Sequence, residues 1–365
     1  MTALERVWVC DTITGARLNV IPVTDFTWAR CFNEGSSGQA TIPVNDSMVK
    51  KLDLRSLIVE RTNTLVYEVG ATVVAAGVID GTSYDKDAGT LRVDHSDIWS
   101  ILADRMAVPH GVPNIMTAML SYGPLSLGTI AKRLVQEVIS PGGWYSLPIV
   151  FPADVSGTAT RSFYGYTMEL VTDSLKNVME SDGGPDIDFT PRWGSSGSLE
   201  WVMRAAPNLS SGGSWEYNLD APKAAALKVS ATTDTSRFAN NAYAAGEGTE
   251  KNTKVRSNPV ADHSRPAAEG VTSFKGVKSL GVLGDLAVER SRALSVPTRQ
   301  YSMSVLKAGT PGATDLSLGD TIRITSAGDP WIPTGITSHR LIKFSGSLGG
   351  TLGHEVKLEF QPTGA

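Results

Sequence analysis

The sequence has few of the residues from which metal, redox and nucleic-acid sites are built. Only two cysteines, Cys10 and Cys31, occur in 365 residues. Without histidine or aspartate at metal-binding spacing, two cysteines make neither a zinc site nor a disulfide framework, so we expect buried reduced thiols, which suits folding in a reducing cytoplasm. Lysine and arginine form no dense run with interleaved aromatics, and the net charge is -4. Tight binding to a phosphate backbone is therefore not expected.

Long hydrophobic runs are also absent. No stretch of the sequence approaches 18 apolar residues, the length that a membrane-spanning helix needs. In the N-terminal stretch "MTALERVWVC", Glu5 and Arg6 interrupt the chain before the apolar region of a signal peptide could form. We expect neither a membrane span nor secretion by that route.

Common catalytic motifs are missing too. The sequence has no G-x-S-x-G elbow, no P-loop and no G-x-G-x-x-G after a strand. Its histidines include no H-E-x-x-H or H-x-H pair, which disfavours a zinc peptidase; they are His95, His110, His263, His339 and His354. The run from Asp94 to Asp97 has the residue types of a catalytic triad, but consecutive residues cannot adopt triad geometry. A turn followed by a helix capped by Ser96 is the better prediction.

Composition and patterning favour a turn-rich, mainly β protein. There are 36 glycines and 19 prolines, spread among many serines, threonines and valines. Residues 5–95 predict a compact, barrel-like β unit, with turns at "RTNTL" and at Asp87-Ala88-Gly89. Its predicted strands are "RVWVC", "LNVIPVTDFTWAR", "GQATIPV", "SLIVERTNTLVYEVGATVVAAGVIDGTSYD" and "GTLRVDHS".

The rest of the chain predicts an α+β middle followed by a return to strands. Helical spacing predicts "DIWSILADRM", "SLGTIAKRLVQEVI", "TMELVTDSLKNVMES" and a helix from about Ser279 to Leu294. Residues 247–275 are polar and weakly patterned, so we expect a long surface loop there. The later predicted strands are "AALKVSATTD", "RFANNAYAAGEG", "RQYSMSVL", "LGDTIRIT", "TGITSHRLIKFSG" and "HEVKLEFQP".

The stretch "SDGGPDIDFTPRW", residues 181–193, is the best candidate for chemistry. It resembles the catalytic strand of family-18 chitinases, written D-G-x-D-x-D-x-E, in which the last glutamate protonates the glycosidic oxygen. Here Gly183 stands at the first aspartate and Thr190 at the acid, and a hydroxyl cannot donate that proton. The glycines and Pro185 instead predict the end of a helix, followed by a strand that pairs with "SLEWVMRA" across "GSSGS".

The aspartates of this stretch do not predict a metal site either. Asp182, Asp186 and Asp188 lack the regular spacing of an EF-hand loop and its terminal bidentate glutamate. We predict no metal, no cofactor and no catalytic residues, and interpret the aspartates as a solvated strand face with helix-end charges.

The C-terminal third resembles the tail hub, or baseplate hub, proteins of long-tailed bacteriophages. The resemblance rests on the helix "LAVERSRAL", the strand "YSMSVL", the turn "LSLGDTIRI" and the hairpin "GITSHRLIKF…HEVKLEF". That hairpin also shares the plan of strand, glycine-containing turn and strand with "GVIDGTSYDKDAGTLRVDHSD" near residue 85.

The resemblance implies a fold that is mainly β with α+β insertions. Two barrel domains similar to the tail tube protein would be joined by inserted α+β domains. The implied division is residues 1–105 for the first barrel, 106–225 for an α+β insertion, 226–250 with 298–365 for the second barrel, and 251–297 for a loop-and-helix insertion.

The resemblance also implies a structural, non-enzymatic role. A homotrimer in the virion would join the hexameric tail tube to the tip and form part of the DNA exit channel, after synthesis and assembly in the host cytoplasm. Implied partners are the distal tail or tail tube protein, the tape measure protein, receptor-binding or tail fibre proteins, and phage DNA that passes without sequence-specific binding.

Two alternatives remain open from the residues. A virion-associated glycan hydrolase would need two carboxylates about 5 to 10 Å apart in a cleft, and Asp186 or Asp188 with Glu200 is the pair to test. A carbohydrate-binding tail-tip protein would need exposed tryptophans along a shallow groove, and its candidates are Trp193, Trp201 and Trp215.

Overall fold

The computed structural model describes residues 4–181, 183–222, 225–236, 238–259, 264–274, 277–295, 298–307, 309–349 and 354–362. The protein is mainly β, as predicted, with large antiparallel sheets and a smaller helical part. Within the described residues, no helix has the length and the hydropathy needed to cross a lipid bilayer.

The strands are numbered in chain order. Those of the first two thirds are β1 Glu5–Asp11, β2 Arg17–Ile21, β3 Asp25–Cys31, β4 Ser37–Pro43, β5 Asn63–Val69, β6 Thr72–Asp85, β7 Thr90–Ser96, β8 Met119–Leu125, β9 Ile149–Val150, β10 Ala159–Tyr164, β11 Asp186–Trp193, β12 Leu199–Ala206, β13 Ser214–Asn218, β14 Ala226–Asp234 and β15 Asn241–Ala245. The last third adds β16 Val255–Pro259, β17 Glu269–Ser273, β18 Thr298–Leu306, β19 Thr321–Ser326, β20 Gly335–Leu348 and β21 Glu355–Pro362. The α-helices are α1 Leu54–Leu57, α2 Trp99–Leu102, α3 Leu127–Ile139, α4 Val171–Met179 and α5 Leu280–Leu294.

One 13-stranded sheet runs through both ends of the chain. Its main path is β14-β18-β21-β20-β3-β4-β7-β6-β5-β1-β2, and β19 and β13 branch from β20. The N-terminal and C-terminal strands meet where β3 pairs with β20. One continuous hydrophobic core lies under both groups of strands, from Val7 and Phe26 to Phe344 and Phe360.

The two groups of strands have the same connectivity. In the N-terminal group the six strands lie side by side in the order β1-β5-β6-β7-β4-β3, and in the C-terminal group in the order β13-β19-β20-β21-β18-β14. If the strands of each group are ranked from first to sixth along the chain, both groups have the same spatial order: first, fourth, fifth, sixth, third, second. Corresponding pairs of strands are antiparallel in both groups, with one difference: β13 pairs parallel with β19, whereas the corresponding strands β1 and β5 pair antiparallel.

The segments between these groups form two smaller bodies. Residues from α2, α3, α4, β11 and β12 build a second core, which includes Ile130, Leu134, Leu175 and Trp201. The strands β15, β16 and β17 form a separate three-stranded sheet, in which Ala244 packs against Leu283 and Ala287 of α5.

Several predicted elements are confirmed. The helix α3 begins after Ser126 and α5 after Ser279, and each serine hydroxyl accepts a hydrogen bond from the backbone N–H three residues later. Gly183 has a φ of 64° just after α4, and β11 pairs with β12 in the predicted hairpin. The corner at Gly89, with a φ of 62°, joins β6 to β7.

The strand predicted just before β5 is wrong. The segment "SLIVE" was expected to be a strand paired across "RTNTL", but residues 54–57 form α1 and β5 begins only at Asn63. Leu57 and Ile58 are neighbours that are both buried in the same core. Adjacent residues of a regular strand point to opposite faces, whereas a helical turn lets both side chains reach one core.

Residues 247–275 were expected to form a loop, but β16 and β17 lie within them. These strands flank β15 in a sheet that is covered by α5 on one face only. Most residues of β16 and β17 are exposed, so the segment buries few apolar side chains and carries little hydrophobic signal.

Candidate functional site

The carboxylate of Asp186 lies where three parts of the chain meet. It forms an ion pair with Arg340 of β20, and it accepts hydrogen bonds from the side-chain amide of Asn33, at 3.1 Å, and from the backbone N–H of Leu209, at 3.0 Å. Its oxygens are thus occupied by groups from the N-terminal strands, the inserted region and the C-terminal strands.

Asp188 makes a second, more deeply buried set of contacts. The residue is 3% exposed. Its Oδ2 accepts hydrogen bonds from Arg204 Nη2 at 2.6 Å and from Thr190 Oγ1 at 2.5 Å, and it lies 3.6 Å from Arg30 Nη2. Arg204 also donates to the carbonyl of Leu318, at 3.1 Å. The charge of Asp188 is therefore compensated by two arginines.

Asn33 fixes the backbone of β11 at this point. Its φ is 64°, a left-handed conformation that asparagine tolerates better than most residues. Its side-chain oxygen accepts from Ile187 N at 2.7 Å, and its own N–H donates to Ile187 O at 3.0 Å. We call Arg30, Asn33, Asp186, Asp188, Arg204 and Arg340 the central junction. It explains "DIDF" as an anchor, which corrects the interpretation of a solvated face.

The carboxylate pair of a glycan hydrolase is not assembled. Glu200 binds Arg192 at 3.1 Å and lies opposite it in the β11–β12 register, whereas Asp188 lies opposite Arg204. Four residues along a strand separate these positions by about 13 Å. Asp182 lies outside the described residues.

The three candidate tryptophans do not line a groove. Trp201 is 2% exposed within the second core. Trp193 Nε1 donates to Glu68 at 2.7 Å, and its ring is covered by the Arg17 guanidinium at 3.7 Å. The exposed tryptophans are Trp144 and Trp331, and neither was a candidate.

The run from Asp94 to Asp97 has a different structural role from the predicted one. Residues 94–96 belong to β7, and Ser96 is not a helix cap, because the residue directly before α2 is Ile98 and its side chain makes no capping hydrogen bond. Asp97 Oδ1 accepts from Trp99 N at 3.0 Å, and Oδ2 accepts from the N–H and the hydroxyl of Ser36, both at 2.7 Å. Burial raises the pKa of Asp97 to about 6, against the opposing effect of the Ser36 hydrogen bonds.

His95 and His339 are both buried in the sheet core. His95 stacks on Phe26 at 4.7 Å, and a Cβ at Gly77 would come within 2.2 Å of its ring. Burial lowers the pKa of each histidine to about 4; Arg299 adds to the effect at His339. His263 lies outside the described residues.

The remaining candidate ligands are dispersed. Cys10 and Cys31 are free and buried, and burial raises the pKa of each thiol to about 12. Among the residues that the structure describes, histidine, cysteine, aspartate and glutamate form no group of three that could hold a metal ion.

The "LGD" turn holds the C-terminal strands together. Asp320 is 1% exposed and accepts hydrogen bonds from Trp215 Nε1 and from Ser317 N, both at 2.9 Å, and from the Ser211 hydroxyl. Gly319 has a φ of 92°, which favours glycine. The motif thus ties β13 to β19, and its partner Trp215 was not predicted.

The large sheet also has a polar face, opposite its core, on the strands from β14 to β6. Hydroxyl side chains dominate it, and its acidic and basic side chains are nearly balanced. We define this polar face by its hydroxyl residues Thr27, Thr41, Ser83, Thr90, Ser230, Thr232, Ser302, Ser304, Ser345 and Ser347 and its charged residues Asp25, Asp85, Arg92, Asp94, Lys228, Lys343, Glu355, Lys357 and Glu359. A pocket of about 740 Å³ opens on it between Asp25, Lys228 and Ser345.

Comparisons with known proteins identify the fold. No family model and no curated protein matches the sequence. The structure is similar to a tail protein of Neisseria meningitidis MC58, with a TM-score of 0.61, 13% identity and coverage of 99% of this chain and 97% of that one. It is also similar to the 43 kDa tail protein of prophage MuSo2 from Shewanella oneidensis, with a TM-score of 0.59, 13% identity and 98% coverage of both chains.

A third similar structure comes from a secretion system. It is an E. coli component of the type VI secretion system, described as structurally similar to the T4 bacteriophage tail proteins gp27 and gp5. The TM-score is 0.51 at 12% identity, over 94% of this chain and 74% of that one. At these identities the likeness concerns the fold, and at that level the resemblance drawn from the sequence is confirmed: this chain has the fold of bacteriophage tail proteins.

Proposed function

We propose that the protein is a tail hub, a structural virion component at the distal end of a phage tail. Three copies would form a ring that continues the hexameric tail tube and joins it to the tip. The observation that carries this proposal is the repeated strand order of the N-terminal and C-terminal groups. A chain with two equivalent barrel-like units lets three copies present six units to a hexameric neighbour.

The proposed division of the chain follows this repeat. The first tube domain is residues 1–105. The second is proposed from residues 226–250 and 298–365, without β15, which belongs to the separate three-stranded sheet, and with β13 added before them. The α+β insertion, from residue 106, and the insertion at 251–297 would lie outside the ring. The central junction supports this arrangement because Asp186 contacts both Asn33 and Arg340, so the insertion is held by both units.

The polar face is proposed to line the DNA exit channel. Binding of DNA depends mainly on the neutralisation of phosphates by lysine and arginine. On the polar face each of the bases Lys228 and Lys357 is paired with an acid, Glu355 and Glu359 respectively. A hydroxyl-rich surface with compensated charge would let DNA pass without retaining it.

The proposed partners follow from the position in the tail. The ring would contact the distal tail or tail tube protein on one side and tip or receptor-binding components on the other, with the tape measure protein in or near the channel. Synthesis and assembly would take place in the host cytoplasm. No cofactor and no catalysis are needed for this role.

The oligomeric state tests the proposal. Native mass spectrometry of the purified full chain is expected to give the mass of three copies, and negative-stain images are expected to show a three-fold ring with a central hole. A chain that stays monomeric up to high concentration, or one that forms a closed two-fold dimer, would contradict the hub assignment.

A further inference from the structure

The repeated strand order extends to the residue level. The hairpin β6–β7 has an irregularity at Asp80, where Ile79 faces His95 and Gly81 faces Asp94. The hairpin β20–β21 has the same irregularity at Ile342, where Leu341 faces Phe360 and Lys343 faces Glu359. Each is one extra residue in the first strand, which is a β-bulge.

Aligned on these bulges, the two groups give a residue-by-residue correspondence. Gly81 corresponds to Lys343, and Tyr84 corresponds to Gly346. The neighbouring strand agrees, because Thr64 opposite Val78 corresponds to Thr321 opposite Arg340. The registers of β4 with β7 and β3, and of β18 with β21 and β14, extend the correspondence to the last strand of each group. There Trp28 of β3 corresponds to Ala231 of β14.

The two groups are joined within the chain by one specific strand pair. The first half of β20 pairs with β19, and its second half extends past β19 and pairs antiparallel with β3. In this pair Ser345 lies opposite Ala29, and Gly346 lies opposite Trp28. The aromatic ring covers the glycine, where an added Cβ would come within 2.9 Å of it.

Within the part of the chain that the structure describes, the equivalent edges at the far ends of the sheet have no such partner. The second half of β6, residues 81–85, extends past β5 and pairs on one side only, with β7. Among the described residues, β14 pairs only with β18. Both edges are accessible, since residues 82–85 and residues 232–234 are exposed. Such edges are a template for strand addition.

We propose that these two edges pair with each other between copies of this chain, so that β6 of one copy adds antiparallel to β14 of the next. The in-chain joint sets the register: Ser83 opposite Thr232, Tyr84 opposite Ala231, and Asp85 opposite Ser230. Because the two edges are different surfaces, the contact is heterologous and repeats head to tail until the ring closes. This interface rests on the proposed ring and specifies how that ring is held together.

The side chains suit the pairing. Thr82, Ser83 and Tyr84 meet Thr232 and Thr233, and threonine and tyrosine are among the residues that favour strands. Tyr84 is 60% exposed in the single chain and would lie across from the small Ala231. The in-chain joint has the same combination with the roles exchanged, a large aromatic Trp28 across from Gly346. Pairing would cover the exposed ring of Tyr84.

Cysteine cross-linking tests the register. In the full chain, Ser83→Cys and Thr232→Cys together place two thiols opposite each other, and directly opposed Cβ atoms lie about 4.5 to 5.5 Å apart. Mild oxidation is expected to give covalent dimers and closed trimers on a non-reducing gel, with nothing larger. The matched control, Ser83→Cys with Leu227→Cys, moves the second thiol about 15 Å along β14 and is expected to stay uncross-linked.

The single variants Ser83→Cys and Thr232→Cys are further controls, since neither places two new thiols in one interface. A native trimer in which the opposed pair links no better than the displaced pair would overturn this interface while the hub proposal stands. A chain that is monomeric by native mass would overturn both. Cross-links that continue beyond three copies would also overturn the closed ring.

Discussion

Replacing Asp188 tests whether the central junction is structural. The Asp188→Asn substitution keeps the size of the side chain but removes its charge, leaving Arg30 and Arg204 without their shared carboxylate. These arginine side chains are only 11% and 23% exposed. Removing one partner of a buried ion pair costs about 3 to 5 kcal/mol. We expect the lower end, about 3 kcal/mol, because the amide oxygen can still accept one hydrogen bond from Arg204.

The matched control is Glu200→Gln on the partner strand. Glu200 pairs with Arg192, whose side chain is 52% exposed, and an exposed pair contributes about 0 to 1 kcal/mol. Guanidinium unfolding followed by tryptophan fluorescence, at one fixed protein concentration so that assembly does not change the comparison, measures both variants. If the unfolding free energy of Asp188→Asn lies within about 1 kcal/mol of the wild type, as that of Glu200→Gln should, the junction is not what holds the insertion.

Three further predictions follow from individual side chains. The pKa values of His95 and His339, about 4, are below the ordinary value of 6.5, so the folded state binds fewer protons than the unfolded state between these values. Their stabilising contribution is complete above pH 6.5 and falls by about 3 kcal/mol each as the pH drops towards 4. Asp97 changes stability in the opposite direction, so the readout is the slope of the unfolding free energy against pH. His95→Gln should make that slope less steep, and an unchanged slope would refute the prediction. The Asp320→Asn substitution is expected to cost about 2 kcal/mol, because an amide cannot accept all the hydrogen bonds that Trp215, Ser317 and Ser211 donate, and thermal unfolding near that of the wild type would count against the role of the "LGD" turn. The wild type is expected to release no reducing sugar from purified host cell wall, and release of reducing sugar by the wild type would contradict the structural, non-enzymatic role.

The sequence predicted the elements whose signals are local. The helices α3 and α5 were predicted because the helical spacing of their apolar residues is a local pattern. The hairpin of β11 and β12 followed from alternation around a glycine-serine turn. The strands β8, β10 and β13 were missed, since each is short or paired with a distant partner.

The central junction could not be predicted in the same way. Asp186 and Arg340 are 154 positions apart, and Arg30 and Thr190 are 160 positions apart. No periodicity links such residues, and only the fold brings them together. The missing acid at Thr190 argued against catalysis at the "DIDF" stretch, but the role of this stretch as an anchor required the structure.

Cryo-electron microscopy of the purified assembly, at a resolution that separates strands, tests the central claim most directly. A hub ring is predicted to show three copies around a channel, each contributing the consecutive strands β14-β18-β21-β20-β3-β4-β7-β6, with β6 of one copy hydrogen-bonded to β14 of the next in one unbroken sheet. The polar face should line the channel. A ring with a different number of copies, or one in which the polar face points outward, would contradict the account.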